Sequence, residues 1–179
     1  MPTLKVKTLA QAFDFVNDVG LCLIFADRKG ALPSLWDAVD LPERPPGESG
    51  WGPKVQAVWA WKNDLPATYP DEIFYGKIKG GKAVLMTMEH LRHTHYPRVH
   101  LPLGQCSLLA RKVYDVVRTE PFTTPQLRQA LTGGDKSRKA AFDKALIELQ
   151  VTLNIVRSND PAIEADTWLR FGEQYPACR

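Results

Sequence analysis

The chain has 179 residues, 44% of them hydrophobic and 24% charged, a composition that suits a globular protein with a sizeable core. Its formal net charge is only +3, so no basic field covers the whole molecule and any affinity for nucleic acid must come from a local patch. No apolar run approaches the roughly 20 residues that cross a bilayer, and Cys22, Cys106 and Cys178 are odd in number with no CxxC pair; membrane insertion, a disulfide framework and a cysteine zinc site are disfavoured.

The opening "MPTLKVKTLAQ" lacks the apolar segment and cleavage site of a signal peptide, and with the unpaired cysteines it points to a reducing cytoplasm. Thr8 and Gln11 read as a capping box. Leu9, Ala12, Phe13, Val16 and Val19 then recur at helical spacing until Gly20. "LCLIF" (21–25) is a short apolar run that predicts a buried strand, and Ser34 with Asp37 opens a short helix that buries Leu35, with Trp36 a second candidate. Residues 40–53, "DLPERPPGESGWGP", are rich in Pro and Gly and form a loop, either a functional or mobile segment or a plain surface excursion. Within it Trp51 has little local structure to bury against and is a candidate functional tip. Trp36, Trp59, Trp61 and Trp168 read as core and loop anchors. "VQAVWAWKNDLP" predicts a helix with Val55, Val58 and Trp59 inward, and "IFYGKIKGGKAVLMTM" a hairpin turning at Gly80-Gly81.

All four histidines fall in "HLRHTHYPRVH": His90, His93, His95 and His100. A metal site needs several ligands converging, yet His90 and His93 share a face only in a helix, whereas His93 and His95 share one only in a strand. Glu89 is the one nearby acid and Pro97 interrupts the run. The window therefore reads as a mildly basic surface segment carrying Arg92 and Arg98, and no metal or cofactor is expected.

The second half changes character. Residues 105–157 carry nine basic against five acidic side chains, net +4, whereas 1–60 sum to −1 and 158–179 to −2. "CSLLARKVYDVVRTEP" predicts an amphipathic helix on Leu108, Leu109, Val113, Val116 and Val117. "TTPQLRQALTGG" predicts a second, with a Thr cap, Pro125 in its first turn, Leu127 and Leu131 inside, and Gly133-Gly134 as terminator. Asp135 caps a third, "KSRKAAFDKALIELQ", with a stripe of Ala141, Phe142, Ala145, Leu146 and Leu149. Strands "TLNIVR" and "TWLRF" follow, joined by the polar turn "SNDPAIEAD". Three helices and then a two-stranded ribbon is the order of a winged helix-turn-helix.

The stretch "GQCSLLARKVYDVVRTEPFTTPQLRQAL…FDKALIELQVTLNIVR", with "WLRFGEQYP" after it, resembles the winged-helix proteins of the AlkZ/YcaQ group, and most nearly its short AlkZ-related members. "VGLCLIFADRKGALPSLWDAV" and "WAWKNDLP…FYGK" resemble that short group too, so the likeness spans nearly the whole chain. The resemblance implies a DNA-binding scaffold tied to repair or regulation; larger relatives include glycosylases that unhook interstrand crosslinks with a Gln-x-Gln or Gln-x-Asp pair. Here none of Gln11, Gln56, Gln105, Gln126, Gln129, Gln150 and Gln174 has Gln or Asp two residues on.

In helix-turn-helix geometry Lys136, Ser137, Arg138 and Lys139 would face base edges at the start of the recognition helix, with Gln126 and Arg128 bracing the phosphate backbone. Basic groups at that end oppose the helix dipole, which weakens a purely structural explanation. Against contact by the wing stand Asp160, Glu164 and Asp166, which would repel phosphate. The expectation is an α+β chain. A mixed α/β region, 1–104, packs on a winged helix, 105–179, as one compact unit that binds double-stranded DNA without catalysing a reaction. The alternatives are a divergent glycosylase and a winged helix that binds protein.

Overall fold

The computed structural model describes residues 5–27, 29–163 and 165–178. It is a mixed α/β fold with two small three-stranded antiparallel sheets. Contacts divide the chain into two compact units, residues 1–75 with 82–91 and residues 76–81 with 92–179. No helix among the described residues is long and apolar enough to cross a membrane.

In the first unit, helix α1 (Leu9–Val19) starts where the Thr8 side chain accepts the Gln11 amide at 3.3 Å. The Gln11 side chain accepts from Lys7 rather than from Thr8, so the cap is one residue off a true capping box. Gly20, at φ 72°, closes the helix and turns the chain into strand β1 (Leu21–Leu23). Helix α2 (Leu35–Ala38) is capped by Ser34, whose hydroxyl accepts the Asp37 amide at 3.0 Å. Helix α3 (Pro53–Thr68) begins with proline, where a missing amide costs nothing. Strand β2 (Ile73–Ile78), whose residues from Gly76 on are counted with the second unit, meets β3 (Lys82–Thr87) through Gly80-Gly81, both at positive φ as a tight hairpin turn requires. The strand order is β1-β3-β2, with β1 antiparallel to β3 in the register Cys22↔Leu85. Val16, Cys22, Ile24, Leu35, Val58, Leu65, Ile73 and Leu85 close the core.

Two expectations fail here. The strand expected over 21–25 ends at Leu23, and Phe25 is 42% exposed. Trp59, expected inside, is 45% exposed, and Val55 is only half-buried. The inward positions of α3 are Val58, Lys62, Leu65 and Pro66. The reason is Lys62, whose ammonium lies 4.4 Å from the Trp59 ring and 5.4 Å from the Tyr75 ring and bonds the Asn63 side chain. A buried cation needs such faces to offset lost hydration, and this holds Trp59 at the rim.

The histidine window is helical: helix α4 (Met88–His90) runs into a π turn (Leu91–His95) and on into helix α5 (Tyr96–Val99). It is no mere surface segment, because Met88 and Leu91 are buried. Pro97 has no amide to donate, and the π turn just before it is where the hydrogen-bond register changes.

In the second unit, Ser107 caps helix α6 (Leu108–Val117), and Glu148 binds both the amide and the hydroxyl of Ser107, at 2.7 and 2.6 Å. Strand β4 (Phe122–Thr123) leads into helix α7 (Thr124–Thr132), which opens with a true capping box between Thr123 and Gln126 and ends at left-handed Gly133. A 3-10 turn (Lys136–Arg138) precedes helix α8 (Lys139–Val151), followed by strands β5 (Ile155–Arg157) and β6 (Thr167–Arg170) and the short helix α9 (Phe171–Gln174). The sheet order is β4-β6-β5, both pairings antiparallel. Val113, Leu127, Phe142, Leu146, Leu149, Ile155 and Trp168 fill the core, and the Trp168 indole donates to the Thr124 hydroxyl at 2.8 Å.

Leu108 was expected in the α6 stripe and is 62% exposed; Ala110 takes the inward place one turn before Val113 and Val117. Ala141 is likewise exposed. The strand expected from Thr152 starts only at Ile155, because Leu153 turns the chain at φ 55° and the Thr152 hydroxyl donates to the Glu148 carbonyl.

Candidate nucleic-acid interface

The exposed end of the second unit is built by the α7–α8 connection. Gly133 and Gly134 turn the chain, and every residue from 133 to 141 is exposed. Asp135 then organises the turn: its carboxylate accepts the Ser137 hydroxyl at 2.7 Å and the Ser137 amide at 2.9 Å. The same two bonds, hydroxyl first, hold the Asp135 carboxyl below the usual carboxylate range. Arg138 reaches back to Asp135 at 3.4 Å.

Asp143, one turn into α8, is the second organising acid. It receives Arg128 from α7 at 3.2 Å and Lys139 from its own helix at 3.9 Å. Basic groups far apart in sequence thus converge on one carboxylate, and the Arg128 guanidinium lies 5.6 Å from the Phe142 ring. Lys136 has no ion pair among the described residues. Arg128, Lys136, Arg138 and Lys139 therefore face two acids, a local excess of positive charge on exposed backbone.

The remaining candidates serve the fold at the same time. Gln126 lies in the first turn of α7, where its side-chain oxygen accepts the Thr123 amide at 2.8 Å; only its NH2 is left for another partner. Ser137 has its hydroxyl proton committed to Asp135. Asp143 was not singled out from the sequence, although its spacing four residues after Lys139 was a signal for it.

Between β5 and β6, the Asp160 side chain accepts the Ala162 amide at 2.9 Å, and Asp166 lies 3.5 Å from Arg157. Glu164 falls outside the described residues. The histidines are dispersed: the His90 amide donates to Thr87, whereas His100 bonds the Thr152 carbonyl at 3.1 Å and stacks on Tyr96 at 4.5 Å. Among the described residues no three His, Cys, Asp or Glu side chains are grouped to hold a metal ion. The cysteines are buried, and burial pushes the Cys22 thiol up to about 12.

The profile of the family described as AlkZ related matches residues 6–165, and the chain belongs to that family. No curated protein and no solved structure matches it.

Proposed function

We propose, with membership of the AlkZ-related family as the premise, that residues 105–179 form a winged helix-turn-helix that binds duplex DNA without cleaving a base from it. The elements α6, β4, α7, α8, β5 and β6 follow one another in winged-helix order, with α8 in the place of the recognition helix. The observation that carries the reading is the exposed run 133–141 with its three cations, Lys136, Arg138 and Lys139, the last of them drawn together with Arg128 of α7 on Asp143. Lys136, Ser137, Arg138 and Lys139 would meet the groove, Arg128 would meet phosphate, and the Gln126 NH2 would brace the backbone. The non-catalytic part rests on the absence of any Gln-x-Gln or Gln-x-Asp pair in the sequence.

Titrating a labelled duplex at several salt concentrations tests the reading. Neutralising about four phosphates gives a slope of about −3.6 in log affinity against log salt. Absence of binding even at low salt refutes it and favours a winged helix that binds protein, the reading that acidic Asp160 and Asp166 would support. Alkylated or crosslinked duplex should yield no abasic sites; protein-dependent release would identify a divergent glycosylase.

A further inference from the structure

Four aromatic rings of the first unit form a continuous cluster, three of them exposed and the fourth, Trp36, half-buried against the core. Phe25, Trp59 and Trp51 are 42%, 45% and 58% exposed. Ring centroids lie 5.8 Å apart for Phe25–Trp36, 6.3 Å for Phe25–Trp59 and 5.6 Å for Trp51–Trp59, the last pair meeting at 67°. Beside them is a hollow of about 380 Å³ lined by Trp36, Trp51, Val55, Glu43 and Arg44, within the size range of small-ligand sites.

The hollow is held in shape. The Lys54 amide donates to the Pro42 carbonyl at 3.0 Å, Arg44 to the Gly50 carbonyl at 2.8 Å, and the Gln56 side chain to the Trp51 carbonyl at 2.8 Å. Gly52 passes so close to Glu43 and Arg44 that a Cβ there would run into their backbone. The loop backbone at Trp51 is thus held and its ring rests edge-on against Trp59, and a pre-set aromatic wall loses little freedom on binding.

Charge selects the occupant. Lys54 lies 4.6 Å from the Trp36 ring and Lys62 4.4 Å from the Trp59 ring, so the cation places on these rings are filled from within. Glu43, the acid lining the hollow, is paired with Lys54 at 3.9 Å, which leaves the exposed Arg44 guanidinium as the charge a guest meets there. A cationic guest is repelled, whereas a flat ring carrying phosphate finds both stacking faces and an exposed guanidinium. A duplex shows only base edges, so the ring must come from an unpaired base.

We propose that this corner, with Trp51 as its outer wall and Arg44 as its phosphate contact, binds an unpaired base of single-stranded DNA. It is a site separate from the duplex-binding residues of the second unit and does not rest on that reading.

The test compares a labelled oligoadenylate of about 12 nucleotides with an abasic phosphodiester of equal length and a duplex hairpin, using the full chain and fluorescence anisotropy. The base-bearing strand should bind more tightly than the abasic one. Trp51→Ala should remove that preference, a loss of about tenfold, while Trp51→Phe restores part of it. Arg44→Gln, which keeps a donor for Gly50, should flatten the salt slope by about 0.7. Trp51 is exposed, so melting should not change; duplex binding should be untouched by Trp51→Ala and single-strand preference by Lys136→Ala/Lys139→Ala. Equal affinity for base-bearing and abasic strands overturns the proposal, as does a base preference that survives Trp51→Ala. Trp51-dependent binding of a proline-rich peptide with no base preference overturns it in favour of a peptide site.

Discussion

Replacing Lys136 and Lys139 together by Ala separates recognition from folding at the start of α8. Lys136 has no ion pair among the described residues, and Lys139 meets Asp143 only at 3.9 Å with both side chains well exposed. Losing that screened i,i+4 pair costs about 0.3–0.5 kcal/mol. Removing two positive charges from the positive end of a helix returns a similar amount, and Ala has the higher helix propensity. The two effects cancel to within about 0.5 kcal/mol, so the melting temperature should move by less than about 2 °C. DNA binding has no such cancellation. Each cation that neutralises duplex phosphate charge, whether from the groove or on the backbone, contributes about 0.9 to the salt slope, so the double variant should flatten it by about 1.8. Scaled from 1 M salt, two lost contacts weaken binding about 200-fold at about 50 mM salt and only about 20-fold at about 200 mM. Melting curves and salt-dependent anisotropy on the same preparation decide it. A large drop in melting temperature would make the turn a structural element; unchanged stability with unchanged binding would remove α8 from the recognition position.

Phe142→Ala should cost about 3–5 kcal/mol by chemical denaturation, since the ring is fully buried in the second unit; a loss below about 1 kcal/mol would contradict the packing. Cys22 should stay unlabelled by a thiol reagent at pH 8 until the protein unfolds, because burial pushes its thiol up to about 12. The same shift makes its contribution to stability complete below the ordinary thiol value near 9.0 and lost as pH rises toward the folded value, measurable as falling stability in alkali. Asp160→Asn keeps the side-chain acceptor for the Ala162 amide and removes a charge, so duplex affinity should change less than about twofold if the β5–β6 turn lies away from phosphate; a tenfold gain would put it against the backbone.

What the sequence made legible was local. The Ser34 cap, the threonine cap before Pro125, the glycine turn at 80–81 and the stop at Gly133 each need only a few neighbouring residues to form, so spacing suffices to see them. What escaped depends on partners distant in the chain. Strand β4 is two residues long and exists because Phe122 and Thr123 find Trp168 and Thr167. The outward turn of Trp59 follows from a buried lysine beneath it, and a periodicity that counts Lys62 as polar places both side chains on the wrong faces. The cations of the candidate interface were visible as a charge excess. Their arrangement around Asp143 was not, because Arg128 reaches it from another helix.

That arrangement bears on what kind of binding the surface can support. Arg128 and Lys139 share Asp143, Arg138 has Asp135, and of the four Lys136 alone stands without an acid among the described residues, so three of four cations would change partner to meet phosphate. Giving up a screened carboxylate offsets part of what each phosphate contact would contribute, which, with a net charge of only +3, would keep affinity for arbitrary duplex modest. The same carboxylates hold the guanidinium groups of Arg128 and Arg138 over the α7–α8 connection before any encounter. A surface of this kind gives up long-range attraction for directional contact. On the proposed reading it would discriminate between sites where the donors of Arg138 and Lys136 reach a matching base edge and sites where they meet only phosphate.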